Sequence, residues 1–387
     1  MLNKQRLLTP GPTQIPQEVR AALSMQMIHH RKRPFQEIMR SLQKDLQDLF
    51  GTEQPVMPLA CSGTGAMQAA ASNLFSQGEK VLVCEAGKFG QRWRAIADRR
   101  GLQATSLCYE WGEAVRAENV ENHLSANPDT AGVLIQASET STGVLHPIRE
   151  IAGITRRKNV LLVVDGISAV GISPCPMDEW GIDCLITGSQ KGLMLPPGLA
   201  LISLSSRSWE RAEKVEPDTF YFDLHQERGK IQQGQTQFTT PVNLIFGLEA
   251  ALDLFKRTGL AQLQRKQWAL TQLTRSGVRA MGLQPLVPEH YTWGLTSLLV
   301  PDGVDGAALL DSMVEEYNVY MAGGQEHFKG RMVRIGHMGD VDWADLLAGL
   351  YALGETLARQ MEGIPASRDF LEQAMTAYRQ AWENPVL

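Results

Sequence analysis

Cysteine is scarce in this 387-residue chain: five residues, Cys61, Cys84, Cys108, Cys175 and Cys184. The number is odd, and no two stand at a metal-ligand spacing, which argues against a disulfide framework and a zinc site. Cys61 and Cys84 lie in apolar stretches, where cysteine acts as a small core residue, so a reduced compartment is the economical reading. Long apolar runs are also missing: none would span a bilayer, and residues 1–16 have no apolar h-region. The expectation is a cytoplasmic protein with no membrane partner. There is no surplus of positive charge either. At a net charge of −5 the chain has no excess Lys and Arg to offer a nucleic acid or an anionic surface. Two basic clusters are short: Arg156-Arg157-Lys158 reads as a solvated helix end, and His29-His30-Arg31-Lys32-Arg33 is left open. Repeats and biased tracts are absent, and 43% hydrophobic with 20% charged residues is a globular composition. The length exceeds one ordinary core and suits a large domain plus a smaller one.

What is present is alternation. Leu8-Thr9-Pro10-Gly11-Pro12-Thr13 is too rich in Pro for a helix or a central strand and reads as an extended arm. Over residues 34–50, Phe35, Ile38, Met39, Leu42, Leu46 and Leu49 recur at helical spacing, and Gly51 ends the pattern. Apolar strands are then expected over 80–85, 132–137, 160–164 and 183–186, interleaved with helices over 90–100 and up to 158. Such alternation implies an α/β domain whose mostly parallel sheet is covered by helices on both faces. A helix from 247 to 256 ends near Gly259. Beyond it, helices over 260–280 and 306–316 with strand-like pieces over 297–300 and 332–335 read as a smaller α+β domain. The expected division is an arm, 1–15, a large domain, 16–258, and a C-terminal domain, 259–387.

In such a sheet the ligand sits beyond the carboxyl ends of the strands. The residues there are Glu85-Ala86-Gly87-Lys88-Phe89, Ser138-Glu139-Thr140-Ser141-Thr142-Gly143, Asp165-Gly166-Ile167-Ser168 and Thr187-Gly188-Ser189-Gln190-Lys191. Upstream, Cys61-Ser62-Gly63-Thr64-Gly65-Ala66-Met67 opens a helix. Its Gly-rich turn points N–H groups and the positive dipole end at one spot, a seat for phosphate, though a purely structural turn reads the same. It is neither a Walker loop nor a dinucleotide fingerprint. Asp165 either caps the next turn or faces a ligand. Lys191 stands in a Gly/Ser-rich loop; a loop lysine is normally solvated, but small apolar neighbours would keep this one partly dry and lower its pKa for Schiff-base chemistry. Each feature is ambiguous alone. Their placement at the strand ends of one sheet is not.

With these residues in order, the sequence resembles class V of the fold-type I pyridoxal-phosphate enzymes, in particular the alanine/serine–glyoxylate aminotransferase group. The resemblance runs along nearly the whole chain: Thr9-Pro-Gly-Pro-Thr, Ser62-Gly-Thr-Gly, Phe89-Gly-Gln-Arg, Glu139-Thr-Ser-Thr-Gly, Asp165-Gly-Ile-Ser, Gly188-Ser-Gln-Lys and Val333-Arg-Ile-Gly. It implies a seven-stranded-type sheet and pyridoxal 5′-phosphate as cofactor, carried as a Schiff base on Lys191. Lys191 would also shuttle the proton between substrate Cα and cofactor C4′. Asp165 would pair with the pyridinium nitrogen, keeping the ring an electron sink. Phe89 would stack on the ring where relatives often have Trp, Thr140 would bond the phenolic oxygen, and Ile167 would line the cofactor. Thr64, Gly65, Ala66 and Gln190 would hold the phosphate. Thr239, and Thr236 where some relatives have Tyr, would reach the phosphate of a neighbouring subunit, which implies a homodimer. Arg334 would take the substrate carboxylate, with Gly11 lining the substrate and the segment around His30-Arg31 near the mouth. No metal is implied.

The function expected is transfer of an amino group from alanine or serine to glyoxylate or pyruvate. The alternatives are another donor (aspartate, a ureido amino acid or an aminophosphonate) and a lyase-type reaction such as cysteine desulfuration or kynurenine cleavage. Desulfuration needs a mobile cysteine in the C-terminal half, and none follows Cys184. A scaffold without catalysis would have no use for an intact Lys191, Asp165 and Arg334.

Overall fold

The structure is a computed structural model, and it describes residues 3–386. Its main sheet has seven strands: β1 (Val56–Leu59), β2 (Lys80–Glu85), β3 (Gln103–Cys108), β4 (Gly132–Gln136), β5 (Leu161–Asp165), β6 (Cys184–Gly188) and β7 (Ala200–Leu204). Their order across the sheet is β1-β7-β6-β5-β4-β2-β3. The pairs β2–β3, β2–β4, β4–β5 and β5–β6 are parallel; β7 alone runs against its neighbours. The expected mostly parallel α/β sheet is what the chain forms. Strands β4 to β7 are buried from end to end and rich in Val, Leu and Ile, as strands covered on both faces must be.

Helices supply the covering layers. Arg33–Phe50 buries Phe35, Met39, Leu42, Leu46, Leu49 and Phe50, each such side chain stabilising by roughly 1.5–3 kcal/mol, and stops at Gly51 in the left-handed region. Gly63–Leu74 packs on β6 and β7, with Ala66, Ala69, Ala70 and Ala71 letting it come close. Lys88–Arg100 begins two residues before the expected start, which puts Lys88 and Phe89 inside its first turn. The fifth strand ends on Asp165 itself, one residue later than expected.

Two main cores result. One takes in residues from Val19 to Phe255 around the large sheet. The second combines Leu8 with residues from Leu270 to Ala374. A three-stranded antiparallel sheet, Leu295–Leu299, Met332–Gly336 and Ala322–Gly323, belongs to the second. Helices Leu260–Ala280, Trp343–Ala358 and Ser367–Glu383 pack together beside it. The arm joins this part: Arg6–Leu7 pairs in parallel with Val319–Tyr320, and Leu8 is wholly buried. Among the described residues no helix is long and apolar enough to cross a membrane.

Candidate active site

The parallel strands deliver their chemistry at one level. Gln136 lies opposite Asp165, and Asp165 opposite Ile186, so the loops that follow open onto the same edge. There lies a cavity of about 270 Å3, lined by Gly11, Thr64, Phe89, Thr140, Asp165, Ile167, Gln190 and Lys191 among others. Lys191 donates from Nζ to the Pro10 carbonyl of the arm. Thr13 Oγ1 donates in turn to the Lys191 carbonyl at 3.2 Å. Gly11 has φ +116°, and a Cβ there would sit 2.6 Å from Lys191 Cδ, so only glycine lets the arm cover the amine.

Burial first, and then the positive charges of Arg334 and Arg92, push the Lys191 amine down to about 8, against the pull of Asp165. Asp165 is 4% exposed, and burial raises its carboxyl to about 6 despite an Ile167 amide donating to Oδ1 at 2.9 Å. Among the described residues that amide is the sole donor to this carboxylate. Burial thus moves both groups towards neutrality.

Arg334 comes from the small sheet. It donates from Nη1 to the Thr140 carbonyl and from Nε to Gly323, both at 2.9 Å. It is 8% exposed and stands beside the cavity wall rather than in it. Gly65 and Ala66 likewise sit behind the wall, one turn into their helix. Thr236 and Thr239 are not at this cavity. Thr236 is buried with its hydroxyl donating to the Phe238 carbonyl at 2.8 Å, and Thr239 is exposed. Of the basic cluster near the N-terminus, Arg31 serves their segment. Arg31 donates to Gln235 Oε1 at 3.1 Å and to the carbonyls of Thr236 at 2.6 Å and Gln237 at 2.8 Å.

Residues 7–340 match the family model for aminotransferase class-V. The chain belongs to that family. The "Soluble hydrogenase, small subunit" of Synechococcus sp. is 35% identical over 92% of this chain and 94% of its own length. The serine–glyoxylate aminotransferase of Methylorubrum extorquens is 34% identical over 90% of this chain and 89% of its own. A solved aspartate aminotransferase of subgroup IV from Thermus thermophilus matches with a TM-score of 0.85 at 32% identity, over 92% of this chain and 100% of that one.

Membership makes the chain a pyridoxal-phosphate-dependent transferase, and its residues fit that cofactor. The amides of Gly63 and Thr64 open the helix that follows Ser62, where no intrahelical acceptor can reach them. Gln190 lines the cavity and offers a side-chain NH2 donor there. Thr140 is 2% exposed and lines the cavity, and among the described residues its hydroxyl makes no hydrogen bond. A Cβ on Gly63 would overlap Ile167, so the Gly-rich turn and the floor beside Asp165 are in direct contact.

Two charged residues of this aminotransferase site were assigned no role from sequence. Arg92 lies over the Phe89 ring, 4.7 Å from its centroid, and donates to Thr64 Oγ1 at 3.0 Å. It joins the aromatic to the Gly-rich turn. Its place three residues after Phe89 on one helix face was the available signal. Glu139 is fully buried behind Phe89 and Thr140. Its signal was a carboxylate directly after an apolar strand.

Proposed function

We propose that the chain transfers the amino group of a small L-amino acid, alanine or serine, to glyoxylate or pyruvate. The carrying observation is Arg334, whose guanidinium stands beside Thr140 at the cavity holding Lys191 and acts electrostatically on its amine. Of the other two cations, Lys191 serves the chemistry and Arg92 is engaged by Thr64 and Phe89.

Pyridoxal phosphate, when bound, supplies an electron sink for the pair released at the substrate Cα. Lys191 holds it and, with an amine near pKa 8, accepts the Cα proton. Asp165 pairs with the ring nitrogen, Phe89 stacks on the ring with Ile167 nearby, and the Thr140 hydroxyl bonds the phenolic oxygen. Thr64, Gly65, Ala66 and Gln190 hold the phosphate. Gly11 lines the substrate, and Arg334 grips its carboxylate with a planar fork that lysine does not offer. Thr236 and Thr239 are assigned to the phosphate site of a second subunit in a homodimer. We assign residues 16–258 to the large domain and 259–387 to the small one, in keeping with the two main cores. The cytoplasm is the proposed location, supported by five free cysteines.

Lys191→Ala is expected to abolish both the visible absorption of the bound cofactor and turnover; normal transamination by this variant would overturn the assignment. The donor is read by mixing the holoenzyme with single amino acids and following that band. Loss of the band with aspartate or a phosphonate alone overturns the alanine/serine reading.

A further inference from the structure

Glu139 is fully buried, yet every one of its partners is a donor. Oε2 accepts from the amides of Phe89 at 3.0 Å and Gly90 at 3.1 Å and from Gln136 Nε2 at 2.9 Å. Oε1 accepts from the Ser141 amide at 3.1 Å and its hydroxyl at 2.5 Å. Ser141 Oγ accepts in turn from the Lys88 amide at 3.1 Å. The first three amides of Lys88–Arg100 are therefore satisfied by the loop after β4 and not by the helix's own N-cap, Gly87, which has no side chain to offer. A Cβ on Gly87 would lie 2.5 Å from Glu139 Cγ and Cδ, so glycine there is what admits the carboxylate.

The consequences reach both substrate and cofactor. Lys88–Arg100 carries Phe89 and Arg92; the loop carries Thr140, whose carbonyl orients Arg334. We propose that Glu139 is a positioning residue of the transamination, fixing through one carboxylate the Phe89 ring and the Thr140–Arg334 pair relative to each other. This rests on the roles proposed above for Phe89, Thr140 and Arg334. The positive end of the helix and five donors compensate the buried charge. Burial nevertheless pushes the Glu139 carboxyl above its ordinary range, with Ser141, Gly90 and Phe89 opposing that push. An amide at this position keeps one acceptor and turns an NH2 group against donors; on the Ser141 side the hydroxyl contact can reverse, but the bond from the Ser141 amide is lost.

The test is Glu139→Gln in the reconstituted holoenzyme. Each lost bond to a charged group corresponds to roughly a ten-fold change or more in an equilibrium constant. The expected result is a pyridoxal-phosphate dissociation constant raised about ten-fold or more. The visible circular dichroism of the bound cofactor should weaken, and KM for the amino donor should rise by a similar factor. A purely structural residue would lower the melting temperature but leave all three unchanged below the transition, and that result overturns the inference. Should Glu139→Gln fail to fold, Ser141→Ala removes one donor and the Lys88 acceptor. It is expected to shift KM and the dichroism in the same direction by several-fold, and unchanged values overturn the inference equally. A wild-type protein that neither binds the cofactor nor transaminates overturns the parent reading instead.

Discussion

Replacing Asp165 with Asn separates what the carboxylate does for catalysis from what it costs the fold. Its pKa in the folded protein is about 6 against an ordinary 3.8, a difference caused mainly by burial. The folded state thus holds this proton more tightly than the unfolded chain does. Well below pH 3.8 the group is protonated in both states and has no effect. As pH rises through the interval between the two values, the folded state is increasingly penalised for burying a charge. Above about pH 7 the penalty levels off near 3 kcal/mol. Asparagine has nearly the same shape and no charge. Apo Asp165→Asn should therefore be more stable than apo wild type by up to about 3 kcal/mol at pH 7.5, with the gain fading towards pH 4. Thermal unfolding of both cofactor-free proteins across that range measures it. The holoenzyme should show the opposite: turnover lower by about 100-fold or more, because the partner of the ring nitrogen is gone. A variant that is less stable at pH 7.5, or whose stability difference ignores pH, refutes the burial argument.

Two further outcomes follow from the same geometry. Because Lys191 titrates near 8 and only the neutral amine is nucleophilic, the rate at which apoprotein captures pyridoxal phosphate should climb about ten-fold per pH unit below 8 and level off above it. Stopped-flow absorbance reads this, and a plateau reached only near pH 10 contradicts it. Gly11→Ala should destabilise the apoprotein by roughly 1–3 kcal/mol, since it places a Cβ against Lys191 on a backbone with φ +116°. Unfolding and cofactor capture measured together check this, and wild-type values for both count against the steric argument.

The strands at the centre of the sheet were legible because burial on both faces leaves an apolar run inside each of β2, β4 and β5, with polar residues only at their ends. The edges were not. Gln-Ala-Thr-Ser-Leu-Cys in β3 is half solvated and carries polar residues that mask it. Val56–Leu59 contains Pro58, which an edge position tolerates and a central strand would not. Nothing in Ala-Leu-Ile-Ser-Leu says that β7 runs antiparallel. At the cavity, the convergence of Lys191, Asp165, Thr140, Phe89 and Gln190 could be read from the rule that ligands sit at strand ends. Glu139 was visible only as a carboxylate after an apolar strand, since the amides it accepts from lie about 50 residues earlier in the chain. Arg31 looked like a residue of the mouth; only the fold shows it clamping the carbonyls of Thr236 and Gln237.

The pairing of Arg6 with Val319 joins residues 313 positions apart. On the ribosome the arm emerges before the sheet it will cover, yet its partner strand is made only after the entire large domain. During that interval Leu8 has no core to enter and the Lys191 amine has no lid. The cavity is finished late in synthesis, so a truncated product that lacks residues 319–320 would carry the lysine and the phosphate turn but leave them open to water.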